Sequence, residues 1–240
     1  MVLFLFGVDP DHLMGTHRMS FTEEVLRKIE QLRSKDAALA LFGASAHRYE
    51  FNPPLSSEEV AAFEASQALR LPEDYRDFIL NVGNGGAGPC YGIYPLRPEG
   101  SIHHGMVHRN RIDLSVPFQH DGPWNADWLD QIDWDAGERP DDCRMEEYLD
   151  TRHIAGTLCI CHYGSGDFWL LVVKGTERGN LWMDGRGNFS GVFPESGAHG
   201  ERLTFSQWYL NWLDGCLQEA DRARKPDLQG GGARDGCVRQ

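Results

Sequence analysis

"LPEDYRDFILNVGNGGAGPCYGIYPL", residues 71–96, sets five glycines between Val82 and Ile93. A glycine loop that cradles phosphate runs strand, loop, helix, so that the anion meets a positive helix N-terminus. Here the order is reversed. Pro72 suits the first helical position, where its missing N–H is harmless. Glu73 and Asp74 fall in the first turn, where acids suit the helix dipole. Tyr75, Phe78, Ile79 and Val82 then lie on one face at spacings of three and four. Gly83 is expected to end the helix in the left-handed region. The glycines follow a helix C-terminus, whose partial negative charge repels phosphate, and no Gly-Lys-Ser/Thr ending is present. The stretch reads as a helix stop and a turn into a strand over 90–96, so a nucleotide-binding α/β fold is set aside.

The rest of the chain extends that reading. Ser20-Phe21-Thr22-Glu23 and Ser56-Ser57-Glu58-Glu59 are capping boxes that open two helices. A shorter helix is expected from Ala37 to Phe42, and "HRYEF" at 47–51 is a possible strand. From Gly156 the pattern changes. "TLCICHY", "FWLLVVK", "NLWMD" and "GVFP" are short apolar runs separated by "GSGD", "GTERG" and "GRGNFS", which reads as an antiparallel meander. "FWLLVV" is apolar on both faces and belongs at the centre, covered on both sides. Thr204 opens a last helix, and Phe205, Trp208, Tyr209, Trp212, Leu213 and Cys216 form its apolar stripe. The fold class is α+β: a largely antiparallel sheet with N-terminal helices and a C-terminal aromatic helix packed on it. Residues 1–18 read as an N-terminal extension, 19–220 as one domain, and 221–240 as a polar, disordered tail.

The composition of the 240 residues, 41% hydrophobic and 25% charged, suits one sizeable core. "MVLFLFGV" lacks a basic leader and reaches Asp9 too soon for a secretory signal, and no apolar run is long enough to span a membrane. The expected setting is the cytoplasm, with the six cysteines reduced. A net charge of −13 argues against nucleic acid as the direct ligand. That charge is uneven: residues 121–150 carry eleven acids against Arg139 and Arg144, a local balance of −9. A solvated loop is the ordinary meaning of such a run, and an electrostatic docking face for a basic partner is the functional one.

Four groups of residues could suggest catalysis or a metal, and each falls short. "CICH", 159–162, lacks zinc-knuckle spacing and a second pair. "SIHHGMVHRN" holds His103, His104 and His108, of which the last two are four apart, but Gly105 weakens a helix there and the glutamate of a zinc protease is missing, so surface or loop histidines are expected. Ser165 has Tyr163 and Asp167 where a nucleophile elbow needs glycines. The carboxylates of 121–150 do not follow a calcium-loop pattern. No enzyme, cofactor or metal site is expected, and well-formed turns, caps and core suit a binding module.

Two stretches carry a resemblance. One is 71–96; the other is "DTRHIAGTLCICHYGSGDFWLLVVKGTERGNLWMDGRG" followed by "GVFP" and "TFSQWYLNWLD". In order and wording they resemble the SUKH superfamily, in its branch named after the yeast cell-wall synthesis regulator. The matching scaffold positions include Leu71, Pro72, Tyr75, Gly83, Gly85, Gly86, Gly88, Gly164, Gly166, Trp182 and Asp184. Ser165 departs from the pattern, where a cysteine is expected. The resemblance implies an α+β fold without catalytic residues. It also implies a role: bacterial relatives act as immunity proteins that bind and neutralise a cognate polymorphic toxin, often a nuclease. The alternative is a regulatory or scaffold module without a toxin partner. An inhibitor of a nucleic-acid-directed toxin presents acid to a basic cleft, so the resemblance favours the docking reading of 121–150. The candidate partner-binding residues are Trp124, Asp127, Trp128, Asp130, Asp133, Trp134, Asp135, Asp141, Asp142, Glu146 and Glu147. The expected partner is a basic protein domain, with no direct nucleic acid and no membrane.

Overall fold

A computed structural model describes residues 19–103 and 111–224. The extension 1–18, His104 and His108, and residues 225–240 lie outside the described residues.

Helix α1, Phe21–Lys35, starts where the Ser20 hydroxyl accepts from Glu23 N–H and the Glu23 carboxylate accepts from Ser20 N–H. It buries Val25, Ile29 and Leu32. Helix α3, Ser57–Ser66, has the same reciprocal cap at Ser56 and Glu59. Helix α4, Glu73–Asn81, has Pro72 as its N-cap and buries Tyr75, Phe78 and Ile79. Helix α6, Phe205–Arg224, runs past the expected domain end at 220. It packs along α1, where Lys28 bridges Glu24 of its own helix and Asp214 of α6 at 2.8 and 2.6 Å. Phe205, Trp208, Tyr209 and Leu213 are buried, with Phe205 set edge-on to Tyr75 and Phe78 at 5.1 and 5.2 Å. Trp212 and Cys216, from the same stripe, are only half-buried because they border an open groove.

Four strands form the sheet: β3 Thr157–Gly164, β4 Asp167–Val172, β5 Leu181–Asp184 and β6 Val192–Pro194, antiparallel in the order β3-β4-β5-β6. The meander is as the glycine turns dictate, with Gly164 and Gly166 at the β3–β4 turn. β4 is central, and all its residues except Asp167 are buried. Trp169 of β4 meets Trp208 of α6 at 5.0 Å, which fixes the helix to the sheet. A two-residue pair, β1 Ser101–Ile102 with β2 Arg111–Ile112, lies beside β3.

Three local expectations change. Helix α2 is Ala44–His47 and begins after Gly43, whereas 37–42 contains turns. "HRYEF" and 90–96 are not strands. They meet through single bridges, Phe51 to Gly86, Gly86 to Ile93 and Ile93 to Cys161, which knit a glycine hook to the edge of β3. Gly83 does not take a left-handed conformation; Val82 caps α4, at φ −108°. Close approach is what requires glycine there, since a Cβ would lie 2.7 Å from the Asn52 carbonyl oxygen. Gly86 needs both freedoms: its φ is +105°, and a Cβ would sit 2.5 Å from the Glu50 oxygen. Gly85 and Gly88 lie in the same hook, while Leu71 and Tyr75 are core residues beneath it.

Candidate functional site: the acidic segment and its anchor

The acidic segment leaves the body at Trp124, whose N–H and carbonyl exchange 2.8 Å bonds with Val192 of β6. A 3-10 turn, Asp127–Gln131, buries Leu129. Helix α5, Asp142–Leu149, follows, with the Asp141 carboxylate accepting from Arg144 N–H as its N-cap. Asp133 closes a turn in the same way, accepting from Ala136 N–H at 2.9 Å. Asp127, Asp130, Asp135, Asp142, Glu146 and Glu147 are exposed. The two bases of the segment do not neutralise these carboxylates broadly: the guanidinium of Arg139 lies over Trp134 at 5.6 Å and that of Arg144 over Trp128 at 5.8 Å. Trp134 is 39% exposed and rests on Phe189. Trp124 and Trp128 are half-buried.

The return end of the segment is fastened from below. Arg186, in the turn after β5, is fully buried. Its Nε and one terminal nitrogen donate to the two Asp184 oxygens at 2.7 and 2.8 Å. Its other terminal nitrogen donates to the carbonyls of Tyr148 and Asp150, both at 2.9 Å, at the C-terminus of α5. A cation there also suits the helix dipole. His103 Nε2 lies 3.0 Å from Asp184 Oδ2, the oxygen that also accepts from the Arg186 terminal nitrogen. Burial pushes the Asp184 carboxyl up, but hydrogen bonds from Arg186 and His103 outweigh it and hold it well below the usual carboxylate range. Tyr148 adds a second tie: its hydroxyl donates to Asn125 and accepts from Gly191 N–H. Asp184 was legible as a scaffold position, and Trp182 beside it is wholly buried in β5. The roles of Arg186 and His103 were not, because Arg186 acts on carbonyls 36 and 38 positions away and His103 on a carboxylate of β5.

Between Trp124, Trp128 and α5 lies a cavity of about 160 Å³, lined by those two rings with Ala126, Glu147, Tyr148 and His153. His153 stacks on Trp124 at 4.2 Å, and Trp128 stands edge-on to Tyr148 at 5.6 Å. His153 Nε2 donates to the Glu147 carbonyl at 3.1 Å. Burial, and then the charge of Arg186, lower its pKa.

A second surface was missed by the sequence reading. Phe42 is 65% exposed and meets Tyr91 of the glycine hook at 5.6 Å, while Tyr163 near the end of β3 packs edge-on to Trp169. Beside them runs a groove of about 520 Å³ lined by Trp169, Trp208, Trp212, Cys90 and Cys216, with Glu195 and Glu219 at its rim. Tyr91 and Tyr163 both sat in stretches read as strands, where an exposed aromatic was the available signal. Burial raises the Cys90 thiol to about 11, and Cys161 well above its ordinary value, so these are packing thiols rather than nucleophiles. Among the described residues no cluster of three or more His, Cys, Asp or Glu is arranged to hold a metal.

The architecture is a helix-flanked antiparallel meander with an acidic arm clasped to its far edge. A family model for the SMI1 / KNR4 family (SUKH-1) matches residues 54–194, from just before α3 to the end of β6. The chain belongs to that family, and so to the SUKH superfamily. No curated protein and no solved structure gave a match. No helix among the described residues is long and apolar enough to cross a membrane.

Proposed function

We propose that this chain is an immunity protein, which binds and neutralises a cognate polymorphic toxin in the cytoplasm of the producing cell and acts without catalysis or cofactor. Membership of a family that includes toxin-immunity proteins supports the reading. The observation that carries it is the segment 121–150, where a balance of −9 is interleaved with three partly exposed tryptophans on a clasped arm. Charge of one sign speeds encounter with a basic partner, and aromatic anchors slow its release. The partner that fits is a basic toxin domain, for example a nuclease whose cleft is built to hold phosphate.

Co-expression tests this directly. Cells producing the toxin domain encoded beside this chain should survive when the chain is present and die when it is absent. Death in both cases removes the proposal. A second reading, a regulatory or scaffold module without a toxin, is favoured by the exposed aromatic face around Phe42, Tyr91 and Tyr163, whose chemistry is apolar rather than acidic. It predicts no protection, and retention of an endogenous partner that a Phe42→Ser variant loses.

A further inference from the structure

The cavity between Trp124 and α5 has the chemistry of a cation cage. Two indoles, a phenol and an imidazole form its walls, and Glu147 is its one carboxylate. At about 160 Å³ it is close to the size that holds a benzene molecule, roughly 150 Å³. It is well below the 300 Å³ or more of a site for a nucleotide or other drug-sized ligand. One side-chain head group is what it can take.

Three observations make that head group cationic. Aromatic faces carry negative potential, most strongly in tryptophan, and attract ammonium and guanidinium groups. Trp128 already accepts one: Arg144, which does not line the cavity, holds its guanidinium 5.8 Å from that ring. No wall residue carries positive charge at neutral pH, and the cation at the rim, the exposed Arg152, pairs with Glu147 at 3.2 Å. His153 is held neutral by burial, with its one proton committed to the Glu147 carbonyl. The nearest buried cation, Arg186, is neutralised by the bidentate Asp184 carboxylate. Outside, the surrounding segment carries the local balance of −9, which draws cations toward the opening.

We infer that this cavity receives one arginine or lysine side chain of a protein partner, inserted among Trp124, Trp128, Tyr148 and His153, its charge taking the place of the exposed Arg152 at Glu147. The inference rests on the proposed binding role of the acidic segment and adds to it a single anchoring subsite. The walls are preset. Trp124 is pinned to β6 through its backbone, and Tyr148 is held by Asn125, Gly191 and Arg186, so little ordering is required on binding.

The test uses the full chain with its tryptophans labelled by nitrogen-15 and three capped pentapeptides, Gly-Gly-X-Gly-Gly, in which X is arginine, lysine or citrulline. Citrulline keeps the shape of arginine without the charge. The expected result is saturable movement of the Trp124 and Trp128 indole signals with the arginine and lysine peptides in the millimolar range. Citrulline should bind about tenfold more weakly, and the Trp208 signal should stay in place. Arginine against lysine then identifies the preferred anchor. Equal response to arginine and citrulline, or movement of Trp134 alone, would overturn the inference. Trp128→Leu, at a half-exposed position, should keep the melting temperature within a few degrees and weaken the arginine peptide at least about tenfold. Should that variant melt early, Glu147→Gln serves instead and should weaken the same peptide severalfold. The subsite and the immunity role fail separately. A Trp128→Leu chain that binds no peptide worse than wild type but still protects cells removes the subsite alone. A wild-type chain that responds to the peptides but protects no cell removes the immunity reading alone.

Discussion

The glycine hook, 83–93, and the acidic segment, 121–150, both carry long irregular backbone, yet they are held in opposite ways. The hook is closed by its own main chain. Gly86 and Ile93 exchange N–H···O bonds at 3.0 and 2.8 Å, Ala87 N–H donates to Glu50, and Tyr94 N–H reaches Ile160 of β3. Glycine is required there by contact with neighbouring backbone. The acidic segment is held mainly by side chains reaching out from the sheet, above all Arg186. Backbone closure fixes a fold and leaves few positions free to vary. Side-chain fastening leaves the outer face of the segment open, with its carboxylates and tryptophans at the surface. The first region is architecture, and the second is a mounted surface.

Breaking each fastening sharpens the comparison. The largest effect is expected at the anchor. Arg186→Met leaves the Asp184 carboxylate buried without its main partner and two α5 carbonyls without a donor. Loss of one member of a buried pair typically costs about 3–5 kcal/mol, against a total stability of roughly 5–15 kcal/mol. Chemical denaturation should show that loss, and hydrogen exchange should rise first in α5. A stable variant with unchanged exchange in α5 would mean that the segment is held by something other than Arg186.

Gly86→Ala comes next. The left-handed backbone strain alone costs about 1–3 kcal/mol, and the neighbouring Glu50 carbonyl must also move. The destabilisation should be global rather than confined to the segment. ATP or GTP should not restore the melting temperature, since the hook follows a helix C-terminus.

Acid gives a smaller, graded effect. His47, His120 and His153 are all lowered below the ordinary value of 6.5, in each case chiefly by burial. The unfolded chain then binds protons at a higher pH than the folded one. Their contribution is complete above about pH 6.5 and is lost as pH falls through and below it. Asp184 adds a further loss only below the ordinary carboxylate range. Melting temperature measured from pH 8 to pH 5 should fall, and His153→Gln should flatten part of that fall. A melting temperature that rises toward pH 5 would contradict the neutral, buried setting of these rings.

Much of the body was legible because its signals are local. The capping boxes at Ser20 and Ser56 form as read. The glycine turns delimit β3 to β6, and the even apolar run "FWLLVV" marks the covered central strand. Around the hook the reading failed where pairing is by single bridges: Ile93 touches both Gly86 and Cys161, but its flanking residues extend no ladder, so apolar alternation suggested a strand that does not form. The charge of the acidic segment could be counted directly. Its mounting could not, because Arg186 acts on carbonyls distant in sequence, and the cage depends on Tyr148 and His153 folding back onto Trp124 and Trp128. The aromatic face at Phe42 was hidden for the same reason, since it is assembled from three separate stretches.

The mounted-surface account is tested most directly by the rate at which the chain associates with the toxin domain, measured by stopped flow from low to physiological salt. The variant carries Asp127→Asn, Asp130→Asn, Asp133→Asn and Asp135→Asn together. These side chains are exposed, and asparagine can still accept the turn bond at Asp133, so stability should stay within about 0.5 kcal/mol of wild type. The account predicts an association rate about tenfold or more slower at low salt, converging on wild type as screening shortens to about 8 Å. An association rate equal to wild type at every salt concentration would contradict it, and would move the docking face to the aromatic groove beside α6.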